Sequence, residues 1–141
     1  MFELVPFKRE HLEPLMVQKI NAFLPQWIRD GQADLMEKTY SQSIIVEGEV
    51  MGCGGIIEFW RGRGQLWALF NERSGIKMMS TFRAIQRFIE TATFKRIEIA
   101  VPYELAVGHK RARLLGFKLE CEKAECYLSN GGAASLYSRI K

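Results

Sequence analysis

Arg73-Ser74-Gly75-Ile76-Lys77 is the stretch of this chain best equipped to hold an anion. It opens a segment in which Ile76, Met79, Phe82, Ile85, Ile89 and Ala92 recur at helical spacing. The first turn of a helix offers N–H groups with no intrahelical partner, together with the positive end of the helix dipole. Gly75 permits close approach to the backbone, Ser74 adds a hydroxyl, and Arg73 and Lys77 add charge, a combination suited to phosphate. The alternative is an ordinary Ser-Gly helix start with solvated basic residues. Glu72 is a counter-signal, because a carboxylate pointing inward would repel phosphate. A second basic stretch holds Lys110, Arg111 and Arg113, with no acidic residue between Ala106 and Leu119. It reads either as ligand-facing or as solvated surface.

Other chemistry is weaker. Cys53, Cys121 and Cys126 are odd in number and lack CxxC spacing, so they are expected to be buried or half-buried free thiols, with no metal site. Cys126 has no adjacent histidine to activate it. His11, at a helix start, reads as a capping or surface residue, and His109 as a surface residue. Trp60 and Trp67 flank an Arg-Gly turn and are expected to cap the core, with a substrate wall as the other use. The basic helix lacks interleaved aromatics and no helix-turn-helix or zinc-finger pattern accompanies it, so nucleic acid is not expected as a partner.

The 141 residues favour one domain spanning 1–141, and 48% hydrophobic with 26% charged residues is the balance of an ordinary globular protein. No run approaches the ~20 apolar residues of a bilayer helix, and the start of the chain lacks the pattern of a signal peptide. A cytoplasmic location without membrane partners is the expectation. Net charge is +4, unevenly spread: residues 1–60 hold five Lys/Arg against nine Asp/Glu, and residues 61–141 hold fifteen against seven. The second half, at +8, is the better seat for an anionic ligand.

The elements that must position these residues can be laid out in order. Phe2–Val5 reads as a strand ended by Pro6, followed by an amphipathic helix from Leu12 to Ile28 that Pro25 breaks or kinks, and a short helix over Ala33–Tyr40. Ser43–Glu47 and Val50–Trp60 read as a hairpin, Arg61-Gly62-Arg63-Gly64 as a turn, and Gln65–Phe70 as the next strand. The helix Ile76–Ala92, the strand Arg96–Val101, the basic helix Leu105–Leu115 stopped by Gly116, and strands Phe117–Leu128 and Ala133–Ile140 complete the order. A tight turn over Ser129-Asn130-Gly131-Gly132 is expected to join the last two strands.

This order, with Gly116-Phe117 after an eleven-residue helix, resembles the GCN5-related N-acetyltransferase (GNAT) superfamily over nearly the whole chain. Against the superfamily's phosphate signature R/Q-x-x-G-x-G/A stands Glu72-Arg73-Ser74-Gly75-Ile76-Lys77, where only Gly75 matches. Against its late-helix pattern N-x-x-A-x-x-x-Y-x-x-x-G-F stand Leu105, Gly108 and Ala112, followed by a matching Gly116-Phe117. The compact size and eroded signature are similar to acetyltransferase-like proteins of tailed phages. The resemblance implies an α/β (α+β) fold: a mixed, mostly antiparallel sheet whose parallel central strands, Gln65–Phe70 and Arg96–Val101, splay apart between flanking helices. It implies acetyl-CoA as co-substrate, held by Phe70, Arg73, Ser74, Gly75, Ile76, Lys77 and Arg111, and an amine acceptor on a protein or small molecule. It implies a strand carboxylate as base, for which Glu58 and then Glu72 stand in the right places. Tyr103, with Tyr127 as the other choice, would replace the absent tyrosine as acid. The alternative is a protein that kept the fold, lost catalysis and binds a protein partner; a homodimer is compatible with either.

Overall fold

The computed structural model describes residues 2–16, 29–71 and 78–141. In chain order the elements are β1 (Glu3–Pro6), a 3-10 turn (Arg9–Leu12), α1 (Glu13–Met16), α2 (Gln32–Glu37), β2 (Tyr40–Val46), β3 (Glu49–Trp60), β4 (Arg63–Phe70), α3 (Met78–Thr91), β5 (Arg96–Pro102), α4 (Ala106–Leu114), β6 (Lys118–Ala124) and β7 (Ala134–Ile140). The strands form one seven-stranded sheet in the order β1-β2-β3-β4-β5-β7-β6. β1 with β2, β2 with β3, β5 with β7 and β6 with β7 pair antiparallel. β4 and β5 pair in parallel, as the intervening helix requires, since parallel neighbours need a long crossover. Their ladder joins Arg63 to Arg96, Gly64 to Ile97 and Gln65 to Glu98. β4 then runs on to Phe70 and β5 to Pro102, where β5 still pairs with β7.

The contacts gather into two units, Met1–Ile57 with Trp67–Thr91 and Glu58–Leu66 with Ala92–Lys141. In the first, Phe7, Leu12, Leu15, Ala33, Met36, Cys53 and Leu69 form a buried cluster against which Met16, Ile57 and Trp67 pack. α3 presents Ala84, Ile85, Phe88 and Ile89 inward at steps of one, three and four, the amphipathic pattern of a sheet-covering helix. In the second, Ile97, Val101, Ala112, Leu115, Phe117, Ala134 and Tyr137 are buried. α4 runs into Gly116, whose φ of 87° is the left-handed stop that its sequence position predicts.

Several expectations shift. Tyr40 belongs to β2 and not to a helix; it stacks on Phe88, ring centroids 4.9 Å apart, and α2 ends at Glu37. Of the long first helix, the described part is the 3-10 turn and α1 to Met16; residues 17–28 lie outside the described residues. Arg63 and Gly64 are in β4, so the turn shrinks to Arg61-Gly62. Pro6 closes an edge strand, and Pro102 stays in β5 opposite Ala134, because a proline at a strand end costs no central ladder bond. β6 stops at Ala124, and the connection to β7 is a wider loop in which the Tyr127 and Leu128 N–H groups both donate to the Gly132 carbonyl. Trp60 is 61% exposed and caps nothing, whereas Trp67 packs edge-on to Phe7 at 5.2 Å. Of the thiols, Cys53 is buried and Cys121 half-buried, but Cys126 is exposed.

Candidate functional site

The carboxyl end of β5 gathers several polar side chains of the second unit. Pro102 closes the strand, and Tyr103 follows it with its N–H donating to the Ala133 carbonyl at 3.0 Å. The Tyr103 ring is 38% exposed and carries the Lys123 ammonium 4.9 Å from its centroid, a cation–π contact. Glu125 pairs with that same ammonium at 3.3 Å. From the second turn of α4, His109 reaches back: its Nε2 lies 2.8 Å from the Tyr103 carbonyl oxygen and its Nδ1 2.6 Å from the Tyr137 hydroxyl.

Close packing of α4 on β5 makes this reach available. Gly108 stands where a Cβ would fall 2.6 Å from Val101 Cγ1 and 3.1 Å from Leu105 Cδ2. Ala112, one turn on, is 1% exposed. The position at which the resemblance expects a tyrosine is thus filled by a small buried side chain, and the hydroxyls of this region come from Tyr103 and Tyr137.

Glu58 lies elsewhere. It lines an open depression of about 550 Å³ with Arg61, Gly62, Thr93 and Phe94. Thr93 and Phe94 precede β5, and the Arg96 N–H donates to the Gly62 carbonyl at 2.9 Å, so this depression sits at the amino end of β5. Seven strand residues at ~3.3 Å each put roughly 20 Å between it and Tyr103. Glu58 and Tyr103 therefore do not converge on one reacting centre.

Between these ends, an ion network crosses the sheet. Arg63 grips Glu98 with both Nε and Nη2, at 2.5 and 3.0 Å, and Arg96 adds its Nε at 2.6 Å. Arg96 also binds Glu120. The hydrogen bond from Arg63, reinforced by Arg96, holds the Glu98 carboxyl below its ordinary range against the opposing effect of burial. Arg63 further stacks over Trp60 and Phe59, 4.5 and 5.1 Å from their centroids, which accounts for two aromatic rings tolerated at the surface.

Of the residues expected to hold a cofactor, Phe70 is half-buried at the last position of β4, its ring 6.1 Å from that of Phe82. The strand end is anchored through Asn71, whose N–H donates to the Met51 carbonyl at 2.9 Å and whose Nδ2 donates to the Val50 carbonyl at 3.1 Å. Arg111 is half-buried on α4. Glu72, Arg73, Ser74, Gly75, Ile76 and Lys77 lie outside the described residues. Burial pushes the Cys53 thiol up to about 12, which leaves it protonated and unreactive at neutral pH. Among the described residues, no cluster of His, Cys, Asp and Glu could hold a metal ion, and no helix is long and apolar enough to cross a membrane. Sequence reasoning missed the roles of His109 and Tyr137. The small residues Gly108 and Ala112, four apart, mark the inward face of α4 and were the available signal that His109 borders that face.

No protein-family model and no curated protein matches the sequence. Solved structures do match. An acetyltransferase of the GNAT family from Bacillus anthracis superposes with a TM-score of 0.71 at 12% identity, over 99% of this chain and 94% of that one. An acetyl transferase from Salmonella typhimurium, which modifies the N-terminal serine of a 50S ribosomal subunit protein, gives 0.71 at 18% identity, over 99% and 95%. The ribosomal-protein α-N-acetyltransferase RimL in complex with coenzyme A gives 0.68 at 20% identity, over 99% and 93%. With its parallel β4–β5 pair and crossover helix α3, the chain has the fold of the GNAT acetyltransferases.

Proposed function

We propose that this protein is a CoA-dependent N-acetyltransferase that passes an acetyl group directly to an amine of a protein or small molecule. The observation that carries the reading is the parallel β4–β5 ladder, confined to Arg63–Gln65 and Arg96–Glu98, within a full-length GNAT-like sheet. Open α/β arrangements hold their ligands beyond the carboxyl ends of parallel strands; Phe70 closes β4, Tyr103 follows β5, and the 73–77 stretch comes shortly after β4 in the sequence. The described residues fit the co-substrate chemically: an anchored β4 end for the pantetheine arm, and a half-buried Arg111 for phosphate charge. The structural neighbour that binds coenzyme A supports the same assignment. A narrower kinship with phage-borne proteins rests on the compact size and the eroded signature.

Acetyl-CoA supplies an activated thioester when bound. In this reading the N–H groups of residues 74–77 hold its phosphates. The base is Glu72, two residues beyond β4, in place of Glu58, whose neighbours at the amino end of β5 remove it from Tyr103. Glu72 takes the proton of the attacking amine, and the Tyr103 phenol protonates the departing thiolate. The two structural neighbours that modify ribosomal proteins favour a protein α-amine as acceptor. Steady-state assays against amines and peptide libraries at pH ~8 test this, since more amine is neutral there. Glu72→Gln is expected to lower turnover ~10²–10⁴-fold, the usual weight of a general base, with Glu58→Gln near wild type. The reverse ranking would return the base to Glu58.

The second reading, a binding protein that has lost catalysis, is favoured by Ala112, buried where a tyrosine is expected. A wild-type chain that binds acetyl-CoA and acetylates no acceptor would support it.

A further inference from the structure

His109 accepts and donates in a way that its contacts fix. A carbonyl oxygen can only accept, so the nitrogen 2.8 Å from the Tyr103 carbonyl, Nε2, carries the hydrogen. In the neutral ring Nδ1 is then bare and accepts the Tyr137 hydroxyl proton across 2.6 Å. Tyr137 is 4% exposed and its backbone pairs with Ile99 and Leu119, so its hydroxyl comes from a rigid, buried strand. The need for such a clamp is local. α4 begins at Ala106, and its N-cap Leu105 has no side-chain group to cap the free N–H groups of the first turn. The Leu105 N–H donates to the Pro102 carbonyl at 3.0 Å, closing a turn through Tyr103 and Glu104 whose Tyr103 carbonyl is left to His109.

We propose that His109 is a positioning residue: Tyr137 sets its Nε2–H tautomer, and that N–H pins the Tyr103 peptide so that the Tyr103 phenol is held at the end of β5. The role rests on the reading of Tyr103 as the acid. It acts through the backbone of Tyr103, from inside α4, and touches no reacting atom. The N–H of Tyr103, held by Ala133, and its carbonyl, held by His109, fix the peptide units on both sides of the residue, leaving the side-chain torsions to the Lys123 contact.

Two measurements test it on the intact protein. In the absence of any substrate, long-range ¹⁵N–¹H spectra of the imidazoles are expected to show His109 as the Nε2–H tautomer, with Tyr137→Phe moving the Nδ1 resonance. His109→Ala is expected to speed amide exchange at Tyr103 about 3–10-fold, the weight of one neutral hydrogen bond, and His109→Gln, whose amide can still donate to the Tyr103 carbonyl, to restore it. In the transfer assay His109→Ala is expected to lower kcat by a similar factor at unchanged KM for acetyl-CoA, with His109→Gln again close to wild type. An Nδ1–H tautomer in the wild type, unchanged exchange at Tyr103 in His109→Ala, or no rescue by glutamine would each overturn the proposal. A wild-type protein with no activity on any amine would sink the acetyltransferase reading, and the spectra and exchange rates would still decide the clamp.

Discussion

His11 makes its contacts in a different register from His109. Its Nδ1 accepts both the Lys8 N–H at 3.1 Å and the Ser43 hydroxyl at 2.7 Å, and Ser43 is fully buried. Protonation of Nδ1 would end the bond from the Lys8 N–H and force the Ser43 hydroxyl to turn from donor to acceptor. Burial, aided by Lys8 and opposed by Glu10 and Glu37, holds its pKa below the ordinary 6.5. The unfolded chain therefore binds more protons than the folded one as pH falls below 6.5, so stability is full above that value and declines beneath it. Thermal unfolding followed between pH 7.5 and about 5 is expected to show this decline, and Ser43→Ala, which removes one of the two donors, to make it shallower. Equal slopes in both proteins would remove His11 as the cause. Glu98 works in the acid range with a different sign of charge. Its carboxyl is held down by Arg63 and Arg96, so its contribution is present above the ordinary 4.5 and is lost as pH drops through the lowered value. Glu98→Gln is expected to flatten that part of the acid-unfolding curve, with an effect reduced at high salt because the partners are partly exposed. Little of this was legible beforehand. His109 read as a surface residue because its ring partner Tyr137 lies 28 residues away. His11 read as a capping or surface residue, and its ring does accept the Lys8 N–H at the head of the 3-10 turn, but its bond to buried Ser43, 32 residues away, had no local signal.

At the level of elements, Gly108 explains a departure that looks like erosion in the sequence alone. The resemblance expects alanine there, but Val101 from β5 occupies the space a Cβ would need. Gly108→Ala is expected to destabilise the fold by about 1–3 kcal/mol, the range for overpacking, even though alanine is the better helix former. Combined with Val101→Ala the penalty should shrink, and a double-mutant cycle from chemical denaturation measures the coupling. Strictly additive effects would mean the two residues do not compete for one volume. Strands and helices with strong periodicity were readable, since β3, β5 and α4 fall within one residue of their expected limits. The misses have local physical causes. Tyr40 matched a helical step from Met36, but the pairing of Tyr40 with Ile56 took it into β2. The long reach of the last hairpin was hidden because Cys126, a non-glycine residue at φ 50°, turns the chain well before the glycines.

On the scale of the whole molecule, the parallel β4–β5 pair and the crossover helix between them were legible from the resemblance and from the order of hydrophobic periods, because an amphipathic helix between two apolar strands leaves few other connections. The site was far less legible. Carboxylates and tyrosines were chosen by their place along strands, and only the direction of β5 separates Glu58 from Tyr103. The +8 charge of residues 61–141 makes an anionic ligand of this fold a reasonable partner and gives a further check, since phosphate contacts through Arg111 and Lys77 should weaken as ionic strength rises. Calorimetric titration of the folded protein with acetyl-CoA, and separately with desulfo-CoA, tests the central claim most directly. Saturable one-to-one binding of both ligands, abolished by Gly75→Asp through phosphate repulsion and lost backbone approach, is the predicted result. A folded wild-type protein that releases no heat with either ligand and shows no rise in melting temperature at millimolar acetyl-CoA would contradict it.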